Sequence, residues 1–154
     1  MPPFAAAPGP GLPDPEVSPG FYDGVPVKRL VAWAVDSALI LLLTLIAVPF
    51  TAFTALFFFP VLWLAIGFAY RIVTLAAASA TPGMRLVAIE MRDRMGRPFD
   101  LAHAIGHTLG YTLSISTVLV QVASIVLMLT GARGQGLTDL LLGTAAINRP
   151  ALRA

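Results

Sequence analysis

The chain contains no cysteine, so disulfide bonds, thiol nucleophiles and cysteine-ligated metal sites are excluded. Charge is also scarce, because only 12% of the residues are charged while 57% are hydrophobic. A soluble domain normally carries about a quarter charged residues. A globule this apolar lacks the polar groups to cover its surface, so lipid must solvate part of it. The composition predicts one compact membrane domain, since the length leaves no room for a second folded unit.

Other absences narrow the function. The net charge of +2 is too small to indicate a nucleic-acid partner, and no basic stripe is interleaved with aromatic residues. No Ser-His-Asp order, phosphate-binding loop or pair of catalytic carboxylates can be assembled from the sequence. We therefore expect neither an enzyme nor a cofactor-binding protein.

The first segment, residues 1–24, is rich in proline. Residues 1–20 hold seven prolines and no Lys or Arg, so the charged and continuous apolar regions of a signal peptide are missing. A stretch of this composition has little apolar surface to bury. We predict a disordered tail over residues 1–24, followed by a membrane domain over residues 25–150.

Two membrane spans are predicted at about 30–48 and 54–77. From Leu30 to the residue before Tyr70, the only charged residue is Asp36. As a helix this run would be roughly 60 Å long, about twice the hydrocarbon core of a bilayer. Pro49 would break it into two spans, because a proline inside a helix removes a hydrogen bond and clashes with the preceding turn.

The basic residues indicate the orientation of these spans. They lie before the first span and after the second, at Lys28, Arg29, Arg85, Arg92, Arg94 and Arg97. The positive-inside rule then places the N-terminus and residues 81–100 in the cytoplasm.

The third hydrophobic segment, at about 103–130, allows more than one interpretation. Its polar and small residues are spaced three or four apart, which places them on one side of a continuous helix. This polar stripe consists of His103, His107, Gly110, Ser114, Thr117, Gln121 and Ser124. Small and weakly polar side chains are typical of packing faces between membrane helices. A single third span would, however, carry the arginine-containing tail outside, whereas a re-entrant hairpin or a broken pair of helices would keep it inside. The predicted fold is an all-α membrane protein with a bundle of three helices, or four segments.

A small extended segment is predicted on the cytoplasmic side. Residues 86–91 alternate between two sides of a strand, and residues 93–98 form a turn-like sequence. Residues 143–148 would supply a second short strand, so the two segments would pair as a ribbon. The alternative is a solvated basic loop that only fixes topology.

Three blocks of this sequence resemble the RDD family of small integral membrane proteins. Residues 28–36 place an arginine seven positions before an intramembrane aspartate. Residues 81–86 resemble the segment that follows the second span, with Met84 where lysine is usual. Residues 133–144 resemble the C-terminal block that holds a second aspartate, with Thr138 where histidine is frequent. The three blocks follow the family order and cover roughly residues 25–148.

The resemblance implies that Arg29, Asp36 and Asp139 are the residues for which the family is named. It also implies a multi-pass protein of the bacterial inner membrane. The activity of the family is mostly unassigned, and a transport role, including cation/proton exchange, has been suggested for some members.

Asp36 is the most distinctive position. A charge inside a span costs about 2.5–3.5 kcal/mol on insertion scales, so it usually faces the bundle and has a partner. Arg29 lies two turns away on the same face, and Arg71 would lie at matching depth on the second span. We hypothesise an ion pair between Asp36 and Arg71. Asp36 could bind a proton or cation, or could be a paired charge that fixes helix register.

Two further positions carry open alternatives. Asp139 could cap a short helix together with Thr138, or could join a polar cluster with Arg29. His103 and His107 share one helix face, yet two ligands alone do not make a metal site, so no bound metal is expected. A proton relay and interfacial anchoring remain the alternatives for this pair.

Two functions fit these features. One is a small transport or ion-exchange component, forming a homo-oligomer or joining another membrane protein because three helices enclose little of a pathway. The other is a non-transporting membrane scaffold or assembly partner.

Overall fold

A computed structural model describes residues 11–149. Its helices are α1 (Val25–Phe50), α2 (Phe59–Ala78), α3 (Pro82–Leu86), α4 (Leu101–Ile115), α5 (Val118–Thr130) and α6 (Leu137–Leu142). Its strands are β1 (Ile89–Arg92) and β2 (Ala145–Asn148). This described part of the chain is thus mostly helical, as predicted, and contains one small two-stranded sheet.

Helices α1 and α2 form an antiparallel hairpin. Two helical segments, Pro19–Phe50 and Thr54–Ala78, are long and apolar enough to cross a membrane. The break between them was predicted at Pro49, but α1 continues through that proline to Phe50. The chain turns instead at Ala52 and Phe53, whose φ angles of 50° and 63° are left-handed. Pro49 lies in the last turn of α1, where the loss of one backbone donor does not kink the middle of the helix.

Of the interpretations left open for residues 103–130, the structure has the broken pair of helices and not the single continuous helix. The direction of the chain changes by 117° between α4 and α5, with the break at Ser116–Thr117. Ser116 donates its hydroxyl to the carbonyl of Thr112, and Thr117 is extended. Hydroxyl-bearing residues compete for backbone hydrogen bonds in this way and have low helix propensity. At about 22 Å and 20 Å, each arm is shorter than a hydrocarbon core.

The bend returns the chain to the end of the hairpin where α1 begins. Asp139 of α6 bonds to Arg29 in the first turns of α1, and β2 pairs with β1. A straight third span would have placed these C-terminal residues at the opposite end. The C-terminal segment up to Arg149 therefore lies on the same side as the start of α1.

The ribbon forms between the two predicted segments. Strands β1 and β2 are antiparallel, with Ile89 opposite Asn148 and Arg92 opposite Ala145. The first strand is shorter than predicted at its start, because Leu86 ends α3 and Ala88 turns the chain with a φ of 55°. The main apolar core lies where this ribbon meets α1, α2, α3 and α4, and it consists of Val25, Ala32, Leu75, Ala80, Met84, Ile89, Met91, Phe99, Ala104 and Ala146.

The prediction of a disordered tail over residues 1–24 is wrong for residues 11–24, which pack against the ribbon. Residues 1–10 lie outside the described part of the chain. Phe21 and Tyr22 are buried against Ala145 and Ile147 of β2. The Asn148 side chain donates to the carbonyls of Gly20 and Asp23, both at 2.8 Å. Two aromatic anchors late in the segment supply the apolar surface that its proline-rich composition lacks.

Candidate functional site: two buried carboxylates

Helix α1 turns one narrow face inward. Its buried positions recur every fourth residue, at Ala32, Asp36, Ile40, Thr44 and Val48. This spacing follows from the helical repeat and places Asp36 on the packed face among apolar neighbours. The Asp36 side chain is accordingly only 1% exposed.

The Asp36 carboxylate accepts three hydrogen bonds, all from uncharged groups. The Tyr70 hydroxyl donates to Oδ1 at 2.7 Å, and the Gly83 backbone N–H donates to the same oxygen at 2.9 Å. The Thr81 hydroxyl donates to Oδ2 at 2.5 Å. Asp36 therefore joins α1 to α2 and to the start of α3.

The approach of α3 to Asp36 requires glycine at position 83. A Cβ atom at Gly83 would lie 2.3 Å from the carbonyl oxygen of Ala32 and 2.9 Å from Cγ of Asp36. Thr81 is the N-cap of α3, and its hydroxyl oxygen also accepts the backbone N–H of Met84 at 3.2 Å. The same threonine thus caps the helix and binds the carboxylate.

The predicted ion pair between Asp36 and Arg71 is not formed. Arg71 instead lies over the ring of Tyr111, with 4.2 Å from Cζ to the ring centroid, and donates to the Tyr111 hydroxyl at 3.4 Å. The ion pair was predicted from the matching depths of the two residues on α1 and α2 alone. In the structure, α3 supplies hydrogen-bond donors to Asp36, and α4 presents the aromatic face of Tyr111 to Arg71.

Asp139 occupies a second, charged cluster. Arg29 Nη1 lies 2.5 Å from Oδ2, and His107 Nε2 lies 3.1 Å from Oδ1. The Thr144 hydroxyl donates to Oδ1 at 3.1 Å, and the Gly136 N–H donates to Oδ2 at the same distance. With its side chain 1% exposed, Asp139 is as buried as Asp36.

Both alternatives considered for Asp139 occur together. It pairs with Arg29, and by accepting the Gly136 N–H it also satisfies the backbone at the start of α6. Thr138 does not share the capping. Its methyl group would lie 2.4 Å from a Cβ atom at Gly110, so it packs closely against α4.

The pKa of Asp139 is held well below its usual range. Burial by itself raises the pKa of a carboxyl group, but the charge of Arg29 and the bond from His107 outweigh that effect. Asp139 is therefore ionised at neutral pH.

The polar stripe is divided by the bend between α4 and α5. Ser114 donates to Gln121 across the bend at 2.9 Å, while Ser124 accepts the backbone N–H of Leu137 at 3.0 Å. Thr117 is exposed at the corner. His103 and His107 both pack against the ring of Phe99 but have different acidic partners, Asp100 for His103 and Asp139 for His107. Within residues 11–149, no group of three or more His, Cys, Asp or Glu side chains is arranged to hold a metal ion.

Sequence reasoning missed five residues of these clusters. Asp36 is bound by Tyr70, Thr81 and the Gly83 N–H, whereas Asp139 is bound by Thr144 and the Gly136 N–H. The Thr81-Pro82 pair carried a usable signal, since threonine before a proline is a typical helix start. No comparable local signal marks Tyr70 or Thr144, whose partners are 34 and 5 residues away.

Comparison with known proteins agrees with the three blocks identified in the sequence. The model of the RDD family matches residues 24–143, which contain Arg29, Asp36 and Asp139. No curated protein and no solved structure matches the chain. A match over most of the chain, together with two helices able to cross a bilayer, identifies this protein as a membrane protein of the RDD family.

Proposed function

We propose that this protein is a multi-pass protein of the bacterial inner membrane and a component of an ion or proton exchange pathway, with Asp36 as the exchanging group. The observation that carries the proposal is the setting of Asp36. It is a carboxylate in a membrane-crossing helix, 1% exposed, and bonded only to uncharged donors among the described residues.

The chemistry of those donors favours exchange. A hydroxyl group both donates and accepts, so Tyr70 and Thr81 can rotate to accept a hydrogen from a protonated carboxyl group. The site would then retain its hydrogen bonds in either protonation state. An ionised carboxylate buried in a span has a high free-energy cost. A change in its surroundings therefore favours the uptake of a proton or cation by Asp36.

Asp139 has the opposite character. Its salt bridge with Arg29 and its lowered pKa keep it ionised, because protonation would leave the arginine charge unpaired. We assign Asp139 and Arg29 a structural role, and we assign the exchange to Asp36 alone.

The proposed arrangement in the membrane has the N-terminus and the ribbon in the cytoplasm. The basic residues around the start of α1 and the ribbon support this orientation under the positive-inside rule. The proposed working unit is a homo-oligomer or a complex with another membrane protein. Two crossing helices and one bent pair enclose too little space for a pathway within one copy.

A membrane scaffold without transport activity is the second candidate. It is favoured by the way both carboxylates fasten short juxtamembrane helices, since Asp36 holds α3 and Asp139 holds α6. In that case the ribbon and the residues packed on it would present a fixed surface to an assembly partner.

Ion flux in proteoliposomes separates the two candidates. Vesicles with an internal pH dye would receive inward gradients of Na⁺ or K⁺, and the rate of proton movement would be recorded. We expect the wild-type protein to exceed empty vesicles and Asp36→Asn to fall to the empty-vesicle rate, because an amide does not carry the exchanged proton. The matched control is Asp93→Asn, the same change in the turn after β1, which should retain the wild-type rate.

Folding must be checked alongside flux. The melting temperature of each variant in detergent would show whether Asp36→Asn is still folded. Equal rates in empty, wild-type and variant vesicles would end the exchange proposal and leave the scaffold as the function to pursue.

A further inference from the structure

Arg71 is a charged residue in a membrane-crossing helix without an acidic partner in the described chain. It lies in the segment Thr54–Ala78, and none of the ion pairs between residues 11 and 149 includes it. Its guanidinium group offers five N–H donors, of which one makes a long bond to Tyr111. Charged residues within spans are usually paired, and a counter-anion here would offset the cost of the arginine charge.

Tyr111 adds a second unused donor. Its hydroxyl oxygen accepts from Trp33 Nε1 at 2.8 Å and from Arg71 Nη2 at 3.4 Å. Both of those groups are donors only, so neither accepts the hydroxyl hydrogen of Tyr111, which stays available to a further acceptor. No residue between 11 and 149 accepts that bond. Trp33, Arg71 and Tyr111 are thus a cluster with an excess of donors, open to one anionic acceptor.

The cluster lies near the membrane surface on the side of the ribbon. Trp33 is eight residues after the start of α1, and Arg71 is seven residues before the end of α2, so both are about 10–12 Å along their helices. Trp and Tyr concentrate at the level of lipid headgroups, and arginine extends its side chain toward that level. Trp33 is 42% exposed, so the cluster faces outward to lipid rather than inward to Asp36.

We propose that Trp33, Arg71 and Tyr111 bind the phosphate of an anionic phospholipid in the leaflet on the ribbon side. The arginine fork matches two phosphate oxygens, and the Tyr111 hydroxyl donates to the same group. The apolar surface of α2 on the same face and two turns deeper accommodates the acyl chains, with Leu64 51% exposed. This site is separate from the Asp36 carboxylate and does not depend on the exchange activity.

Lipid binding to the intact purified protein tests the site. Delipidated protein in a neutral detergent would be titrated with phosphatidylglycerol, phosphatidylcholine or inorganic phosphate, and occupancy read by native mass spectrometry. We expect phosphatidylglycerol to bind in preference to phosphatidylcholine, and inorganic phosphate not to displace it. Arg71→Gln should weaken phosphatidylglycerol binding by at least about tenfold, because it removes the charge and the paired hydrogen bonds of the arginine fork.

Two variants serve as controls. Arg85→Gln removes an exposed arginine on α3 and should change binding by less than about twofold, as for a solvated surface charge. Tyr111→Phe keeps the ring beneath Arg71 and removes only the hydroxyl, so binding should weaken about threefold even if Arg71→Gln does not fold.

Three results would overturn the proposal. The first is equal loss of phosphatidylglycerol in Arg71→Gln and Arg85→Gln. The second is unchanged binding in Tyr111→Phe. The third is displacement of the lipid by inorganic phosphate, which would make the ligand a free anion rather than a headgroup.

Discussion

Asp36 and Asp139 are the same residue type, equally buried, in opposite electrostatic settings. Asp36 meets two hydroxyl groups and one backbone N–H, whereas Asp139 meets the charge of Arg29. A salt bridge fixes one protonation state, while hydroxyl donors adapt to two. The difference separates the residue proposed to exchange a proton from the residue that holds the fold together.

Asp139→Asn should destabilise the protein and reduce its sensitivity to acid. Removing one partner of a buried pair costs about 3–5 kcal/mol, because Arg29 is then left uncompensated. The folded-state pKa of Asp139 lies below that of an unfolded aspartate. Its stabilisation is therefore complete above the unfolded pKa near 4 and is lost as the pH falls toward the folded value. The free energy of unfolding, measured in detergent from pH 6 down to pH 3, checks both effects.

The control is Asp14→Asn, the same change at an exposed carboxylate. It should reproduce the wild-type loss of stability in acid. An Asp139→Asn protein with an acid response as steep as the wild type would contradict the assignment.

At the scale of elements, the short helix α3 is held by the close fit of its first turn on α1. A side chain at Gly83 has no room, whereas Gly106 on α4 would place its Cβ 3.8 Å from the nearest Leu142 atom, an ordinary contact. These two glycines give a matched pair of substitutions.

Gly83→Ala should lower stability by about 1–3 kcal/mol, the range for overpacking, with disruption of the Asp36 site. Gly106→Ala should leave stability unchanged or raise it by up to about 1 kcal/mol, because alanine is the better helix former. Thermal unfolding of both variants in the same detergent measures the difference. Equal melting temperatures would show that α3 does not approach α1 as closely as described.

The sequence predicted elements whose signal is local and missed those that depend on distant partners. The two spans and the pairing of residues 89–92 with 145–148 follow from hydropathy, alternation and turn residues. The bend at Ser116–Thr117 does not, because the helical spacing of the polar stripe continues through it. The partner of Asp36 was missed for a similar reason, since Thr81 and Gly83 reach it only through the docking of α3.

At the scale of the whole molecule, the start of α1, the ribbon and the C-terminal segment share one end of the helix hairpin. The chain has no native cysteine, so single cysteines can report on this arrangement without background. Exposed positions are available at both ends of the helix hairpin. Glu16 and Ala132 lie at the end with the ribbon, and Thr54 lies at the opposite end.

A membrane-impermeant maleimide should label Thr54→Cys in intact spheroplasts. It should label Glu16→Cys and Ala132→Cys only after lysis, because the bent pair of α4 and α5 returns the chain to the side where α1 begins, which the proposed orientation places in the cytoplasm. Gel shift of the labelled protein provides the measurement. Labelling of Ala132→Cys in intact cells would instead require one straight third span.

The separation of Arg29 and Asp139 along the chain has a consequence for biosynthesis. Their salt bridge joins residues 110 positions apart, and Lys28 bonds to Asn148 over 120 positions. At about 5–20 residues per second, the ribosome needs roughly 5–20 seconds to deliver these partners after Arg29 emerges. During that interval the inserted α1–α2 hairpin carries unpaired cations, so the first span is held in place only after the later residues have been made. Nascent chains truncated before Asp139 should insert in the membrane yet remain open to quality-control proteases.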